Sequence, residues 1–173
     1  MTAYLTLIAL VAVERLAELA VARSHLAWAR RHGGVEYGAA HYPWLVLAHA
    51  GLLVAAPLEV WLLHRPFLPA LGWPMLAVVL AAQGLRWWCV ATLGRRWTTR
   101  VIVIPGLPLV RHGPYRWLRH PNYVAVAAEG VALPLVHSAW LTALAFNAAN
   151  AVLLWARIRT EDAALGYRQD EAA

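Results

Sequence analysis

Five apolar stretches set the terms for this chain, at roughly residues 2–22, 44–63, 74–93, 122–136 and 139–157. The first three are about 20 residues each, enough for a helix to cross a hydrocarbon core of about 30 Å. The last two run to about 15 and 19 residues and are joined only by His137-Ser138, which predicts a tight C-terminal helical hairpin with a short or tilted first arm. Of the 173 residues, 61% are hydrophobic and only 14% charged, a composition unlike that of an ordinary soluble domain. The expected fold is all-α and integral to a membrane, one domain over 1–173 with about five transmembrane helices. The first stretch does not read as a signal peptide. It lacks a basic N-terminal region and a small-residue cleavage site, and it carries Glu14, Arg15 and Glu18 inside its apolar run.

All 15 basic residues are arginine, and their placement says more than the net charge of +6. With the N-terminus outside, the inner segments 23–43, 94–121 and 158–173 hold Arg23, Arg30, Arg31, Arg95, Arg96, Arg100, Arg111, Arg116, Arg119, Arg159 and Arg168, whereas the outer loops hold only Arg65. The positive-inside rule then places the C-terminus of this multi-pass protein in the cytosol. Trp28, Trp44, Trp61, Trp73, Trp97, Trp117 and Trp140 fall near span ends, where amphipathic rings settle at the headgroups. Anionic membrane lipid accounts for the arginines, and no nucleic-acid partner is expected. The single cysteine, Cys89, excludes an internal disulfide, and the eight histidines include no H-x-x-x-H pair or HExxH, so no metal site is expected.

Two inner segments differ in character. Residues 23–43, with Gly33-Gly34 and Gly38, read as a loop. Residues 94–121 are more structured. Arg100 to Ile104 is β-branched and extended, Pro105-Gly106 and Gly113-Pro114 mark turns, and Tyr115 to Arg119 fits one helical turn before Pro121 and Asn122 start the fourth span. At the other end, Thr160 and the acids after it predict that the fifth helix runs on into the cytosol as a short amphipathic piece ending at Gly166.

Ionisable groups inside a bilayer are costly. Glu14, Arg15 and Glu18 share a helical turn, and Arg86 lies in the third span; they form either an interhelical ion-pair network or a polar lining for a substrate head group. Glu59, near the outer end of the second span, is expected to reach water. Glu129 lies about two turns below residues 111–123 on a similar face, and reads either as a site residue or as a buried structural acid.

The segment RHGPYRWLRHPNY, residues 111–123, is the most polar and aromatic in the chain. Phospholipid head groups account for Arg111, Arg116 and Arg119, and interfacial anchoring for Trp117, but neither accounts for His112, Tyr115, His120 and Tyr123 around two prolines. Tyr115 and Tyr123 offer faces to a planar base, His120 offers a donor to a carboxylate, and the extended backbone of 103–110 offers N–H and C=O groups to an adenine edge. Arg157, Arg159, Glu161 and Asp162 reach the same cytosolic edge. Such a set fits a zwitterionic, cationic, adenine-bearing cofactor: S-adenosylmethionine, or less well a nicotinamide dinucleotide. No GxGxxG and no Walker loop is present.

The run LGRRWTTRVIVIPGLPLVRHGPYRWLRHPNY, the acid Glu129 and the later RTED resemble the isoprenylcysteine carboxyl methyltransferase family in its smaller bacterial branch. The likeness covers roughly 90–168, with VERLAEL also familial. It implies an integral-membrane, S-adenosylmethionine-dependent O-methyltransferase whose cytosolic cofactor-binding part, about 94–168, closes over the cofactor while a lipophilic acceptor enters from the bilayer. Leu107, Pro108, Leu109 and Val110 would offer backbone to the cofactor. Tyr115, His120, Pro121, Asn122 and Tyr123 would wrap it, with Arg100 upstream. Arg159 would orient the acceptor carboxyl, Glu161 or Asp162 would face the cofactor amine, and Glu129 would join the catalytic set. The chain departs from relatives that act on prenylated proteins in two places: Ala163-Ala164 interrupt the acidic run, and the tail is reduced to Gly166-Tyr167.

A carboxylate acceptor needs orientation by an arginine and no base; a phenol or enol would draw on Glu129, Glu161 or His120. Prenylcysteine, isoprenoid acid, alkylpyrone and phenolic lipid are all compatible acceptors. Two rival readings stand beside this one. Membrane sterol reductases carry a similar RHPNY-like element and use NADPH, and a non-catalytic membrane scaffold could keep the same fold.

Overall fold

The structure is a computed structural model and describes residues 1–166; Tyr167 and Arg168, included in the expectations above, lie outside the described residues. Five helices carry the chain: α1 (Thr2–Arg31), α2 (Tyr42–Leu62), α3 (Pro69–Leu93), α4 (Pro121–Leu135) and α5 (Trp140–Leu165). Proline opens α3 and α4 and stands in the first turn of α2, where its fixed φ suits a helix start and its missing N–H costs nothing. The fifth helix runs on past residue 157 and ends at Gly166, whose φ of 79° is the left-handed cap the sequence predicts.

Among the described residues three helices are long and apolar enough to cross a membrane: α2 with the 3-10 turn before it (Ala39–Leu62), α3 with the turn after it (Pro69–Arg96), and α5. The 30 residues of α1 are long enough, but Glu14, Arg15 and Glu18 interrupt its middle. The 15 residues of α4 reach only about 22 Å at 1.5 Å per residue, short of a full hydrocarbon core.

The fold is mostly helical, as expected, but the loop expected at 23–43 needs correction. Residues 23–43 are not a loop: α1 continues to Arg31, and Val35–Tyr37 forms β1, paired antiparallel with β2 (Val101–Val103) in the register Val35↔Val103, Glu36↔Ile102, Tyr37↔Val101. The β-branched run at 100–104 is extended as predicted, but an isolated strand leaves its backbone unpaired, so it recruits a partner from the other inner segment. Gly34 permits the approach, because a Cβ there would collide with the Ala29 carbonyl and the Ile102 side chain.

The core joins Tyr4 and Ile8 of α1, Leu52 and Ala56 of α2, Val79 of α3, Leu133 of α4 and Phe146 of α5. The α4–α5 hairpin closes where Gly130 faces the Phe146 ring with no room for a Cβ, and Asn147 Nδ2 donates to the Gly130 carbonyl at 2.9 Å. Glu59 does not reach water, a second correction: it is buried, and its carboxylate accepts from the Thr142 N–H (2.7 Å), the Thr142 hydroxyl (2.8 Å), the Leu141 N–H (3.2 Å) and Arg65 Nε (3.0 Å). The first N–H groups of α5 have no partner within their own helix, and Glu59 supplies one from α2.

Deeper in, α1, α3 and α4 are joined by charge. Glu129 Oε2 accepts from Arg15 Nη2 at 2.7 Å and from Arg86 Nη2 at 2.6 Å. Arg15 also donates to Glu18 and to Gln83 Oε1, and Gln83 and Trp87 donate to Glu14. The sequence left open an ion-pair network or a polar lining; the network is present, with Glu18, Arg86 and Glu129 all buried, and Arg15, Glu18 and Arg86 also line one end of a cavity.

Candidate functional site

Residues 94–123 form the inner cap over the helices, and Tyr115, His120 and Tyr123 in it each have an identifiable anchor. Gly113 starts a 3-10 turn over 113–116 at φ 57°, and a Cβ there would strike Thr92 of α3. Tyr115, carried by that turn, meets Cys89 of α3 through its hydroxyl. Burial, together with Cys89 and Glu161 nearby, pushes its ionisation above the usual phenol range, so it stays neutral. His120 caps α4, and its Nε2 lies 2.8 Å from Asp162 Oδ1 on α5. The His120 and Tyr123 rings stack, with centroids 5.4 Å apart and planes 24° apart.

Tyr123 is the hub. Its hydroxyl donates to Glu161 and accepts from Arg157 Nε at 2.8 Å, while Arg157 Nη2 donates to the Thr99 carbonyl at 2.7 Å. Arg157 and Glu161 are one turn apart on α5, so both meet Tyr123 from the same face.

Two cavities flank this hub. The first is a cleft of about 170 Å3 at the inner face, bounded by 96–110, 115–123 and the end of α5. Of the residues expected to hold a cofactor, Arg100, Leu107, Pro108, Leu109, Val110, Tyr115, His120, Asn122, Tyr123 and Glu161 line it. Pro121 and Asp162 do not; Pro121 is buried as the first residue of α4, and Asp162 acts behind His120. The outer wall is the 104–110 segment, held by Arg96 Nη1 donating to the Pro108 carbonyl at 2.7 Å. The N–H and C=O groups of Leu109 and Val110 make no hydrogen bond, which leaves them open to a ligand edge. Arg100 lines the cleft, but its guanidinium is bound to Glu36 and lies 4.3 Å from the Tyr42 ring centroid.

The second cavity, about 420 Å3, lies on the other side of Tyr123, within the range of ordinary ligand pockets. Its walls are mostly apolar, from Leu16 and Leu19 of α1, Leu45, Val46 and Leu53 of α2, and Val126 of α4. Leu16 and Val46 are exposed on the helix surfaces, so the cavity opens sideways between α1 and α2. Trp97, Thr98, Asn122, Tyr123 and Arg157 line both cavities.

The structure separates two of the residues the sequence put forward. Arg159 lines neither cavity; its guanidinium lies 4.7 Å from the ring centroid of Trp155 on an outer face of α5. Arg157 holds the position between the cavities instead. Residues 157 and 161 share a face of a 3.6-residue helix and 159 does not, a spacing that could have singled out Arg157. Glu129 lines neither cavity and is engaged by two arginines. Sequence reasoning also missed the apolar cavity, since its residues come from all five helices and the cap, and its aliphatic walls carry no motif.

Among known proteins, the model of the isoprenylcysteine carboxyl methyltransferase (ICMT) family matches residues 75–167. The chain belongs to that family. Its membership makes this a membrane methyltransferase fold, and the matched region contains α4, α5 and the whole cap between α3 and α4. The uncharacterized protein YpbQ of Bacillus subtilis is 41% identical over 160 residues, covering 92% of this chain and 94% of its own. An uncharacterized protein of Haemophilus influenzae is 26% identical over 138 residues, 78% of each chain. No solved structure matches.

Proposed function

We propose that the protein is an S-adenosylmethionine-dependent O-methyltransferase that takes its cofactor in the inner cleft and a lipophilic acceptor in the lateral cavity. The observation that carries this reading is the shared wall: Trp97, Thr98, Asn122, Tyr123 and Arg157 face an inner cleft of mixed polar and apolar lining on one side and a mostly apolar cavity on the other. A water-soluble reactant and an oil meet across that wall without either leaving its own phase. The five helices then cross or enter an inner bacterial membrane with the N-terminus outside and the cap in the cytosol, as the arginine distribution supports.

The donor set of the cleft fits the cofactor. Unpaired backbone at Leu109 and Val110 can read an adenine edge, the His120–Tyr123 stack offers an aromatic face, and Glu161 offers a carboxylate to an ammonium. At about 170 Å3 the cleft is smaller than the about 300 Å3 usual for ligand pockets, so the 104–110 segment opens to admit it.

The bound cofactor would supply an electrophilic methyl group on a cationic sulfur. The protein's task is then alignment and exclusion of water. Arg157, fixed by the Thr99 carbonyl and the Tyr123 hydroxyl, presents a positioned cation at the cavity wall and orients an acceptor carboxylate or oxyanion. A carboxylate acceptor forms a neutral ester and releases no proton. A hydroxyl acceptor releases one, and Glu161, with His120 and Asp162 behind it, receives it. Purified protein is expected to bind S-adenosylhomocysteine and to transfer labelled methyl into an organic-soluble product from total lipid extract. Stabilisation by NADPH but not by S-adenosylhomocysteine would overturn the reading in favour of a reductase.

A further inference from the structure

His49 is a polar side chain in the wall of the apolar cavity that the proposed transfer does not use. It sits on α2 one helical turn from Leu45, whose carbonyl oxygen lies 2.8 Å from its Nδ1. A carbonyl can only accept, so Nδ1 carries the proton and Nε2 of the neutral ring carries the lone pair. The edge of the ring packs against Phe146 with centroids 5.3 Å apart, which fixes its orientation. Nε2 makes no hydrogen bond and is not closed off by its neighbours.

The other polar residues at this end of the cavity are Arg15, Glu18 and Arg86. Their charged ends are committed to one another and to Glu129: Arg86 Nε faces Glu18 Oε1 at 3.5 Å, and these two atoms and Arg15 Nε are buried and offer nothing to a ligand. Within this end of the cavity His49 Nε2 is therefore the accessible acceptor. A hydrocarbon chain filling the space would leave that lone pair desolvated and unpaired, whereas a ligand O–H would satisfy it. The arginines nearby disfavour a cationic amine in the same place.

The depth of the site can be read from the helix. Tyr42 marks the level of the reaction wall, because its hydroxyl lies 3.4 Å from Thr99 Oγ1 and Thr99 holds Arg157. His49 is seven residues further along α2, so Nε2 lies about 10 Å outward of that wall at 1.5 Å per residue. We infer that His49 accepts a hydrogen bond from a hydroxyl group carried on the acceptor's chain about 10 Å from the methylated oxygen, so that the acceptor is a hydroxylated lipid and not a plain hydrocarbon tail. This rests on the apolar cavity being the acceptor site.

The test is equilibrium binding in detergent of two probes, hexadecanoate and 10-hydroxyhexadecanoate, to wild-type protein, His49→Leu and His49→Gln. Wild type is expected to bind the hydroxylated probe about tenfold more tightly, the size of one satisfied buried hydrogen bond. His49→Leu is expected to lose that preference while binding hexadecanoate at least as well as wild type does. His49→Gln, whose amide oxygen can accept, is expected to keep part of it. Equal binding of the two probes by wild type, or a loss in His49→Leu that is the same for both, overturns the inference. Methyl transfer is not read in this titration, so failure of the methyltransferase reading shows separately, in the S-adenosylhomocysteine and labelled-transfer experiments.

Discussion

Arg157 Nε donates to the Tyr123 hydroxyl at 2.8 Å at the point where the inner cleft and the apolar cavity share a wall. With Nη2 fixed on the Thr99 carbonyl, two of the guanidinium's nitrogens are occupied and its plane is set by the protein before any substrate arrives. Lysine cannot reproduce that, having one point charge on a flexible stem. Both Arg157→Ala and Arg157→Lys are therefore expected to lower labelled methyl transfer on the order of 100-fold, the scale of a misplaced reactant. Arg159→Ala, which removes an exposed side chain that packs on Trp155 and lines neither the cleft nor the apolar cavity, is expected to leave transfer within about threefold of wild type, as for other surface substitutions. The reverse order of losses would return the acceptor-orienting role to Arg159.

Tyr123 separates binding from alignment. Its ring stacks on His120, and its hydroxyl links Arg157 to Glu161. Tyr123→Phe keeps the ring and removes the link. S-adenosylhomocysteine affinity is expected to stay within about threefold, while the turnover number drops by about tenfold or more as Arg157 loses one anchor. Tyr123→Ala removes the face as well and is expected to abolish detectable binding. Titration calorimetry and single-turnover transfer on both variants check this.

The sequence told more about the cleft than about what faces it, for a physical reason. Most cleft residues are close in the chain and are flanked by turn formers, so Gly113, Pro114 and the 107–110 run announce their own geometry. The same holds for α5, whose overrun to Gly166 was legible from Thr160 onward. Glu59 was misjudged because its partners, Leu141 and Thr142, lie 82 and 83 residues away in the chain. Strand β1 went unseen for the same reason, as three residues acquire strand geometry only from β2. The aliphatic walls of the apolar cavity left no local trace, since Leu16, Leu19, Val46 and Leu53 look like any lipid-facing helix residues.

Glu129 offers a direct separation of structure from catalysis. Its Oε2 holds Arg15 and Arg86 together in a buried site, and removing one partner of such a group leaves uncompensated charge at a cost of about 3–5 kcal/mol. Glu129→Ala is expected to lower the thermal unfolding midpoint in detergent sharply, and Glu129→Gln to do so less. Transfer per folded molecule in Glu129→Gln is expected to be close to wild type. A variant as stable as wild type but inactive would make Glu129 a member of the catalytic set.

The 104–110 segment is the part of the cap with the weakest hold. Arg96 reaches the Pro108 carbonyl, the Leu107 N–H makes a turn bond to Ile104 at 3.3 Å, and the backbone groups of Leu109 and Val110 are unpaired. Segments with few backbone bonds open at low free-energy cost, and this one must open if an adenosyl cofactor is to enter a cleft of about 170 Å3. Amide exchange at Leu107, Leu109 and Val110 is therefore expected to be fast in the free protein. Saturating S-adenosylhomocysteine should slow it at least tenfold, because bound ligand stabilises the closed form by mass action. Arg96→Ala should raise the free-state exchange rate and accelerate ligand association. Exchange at these three amides that is unchanged by the ligand would mean that the cofactor edge is read elsewhere in the cap.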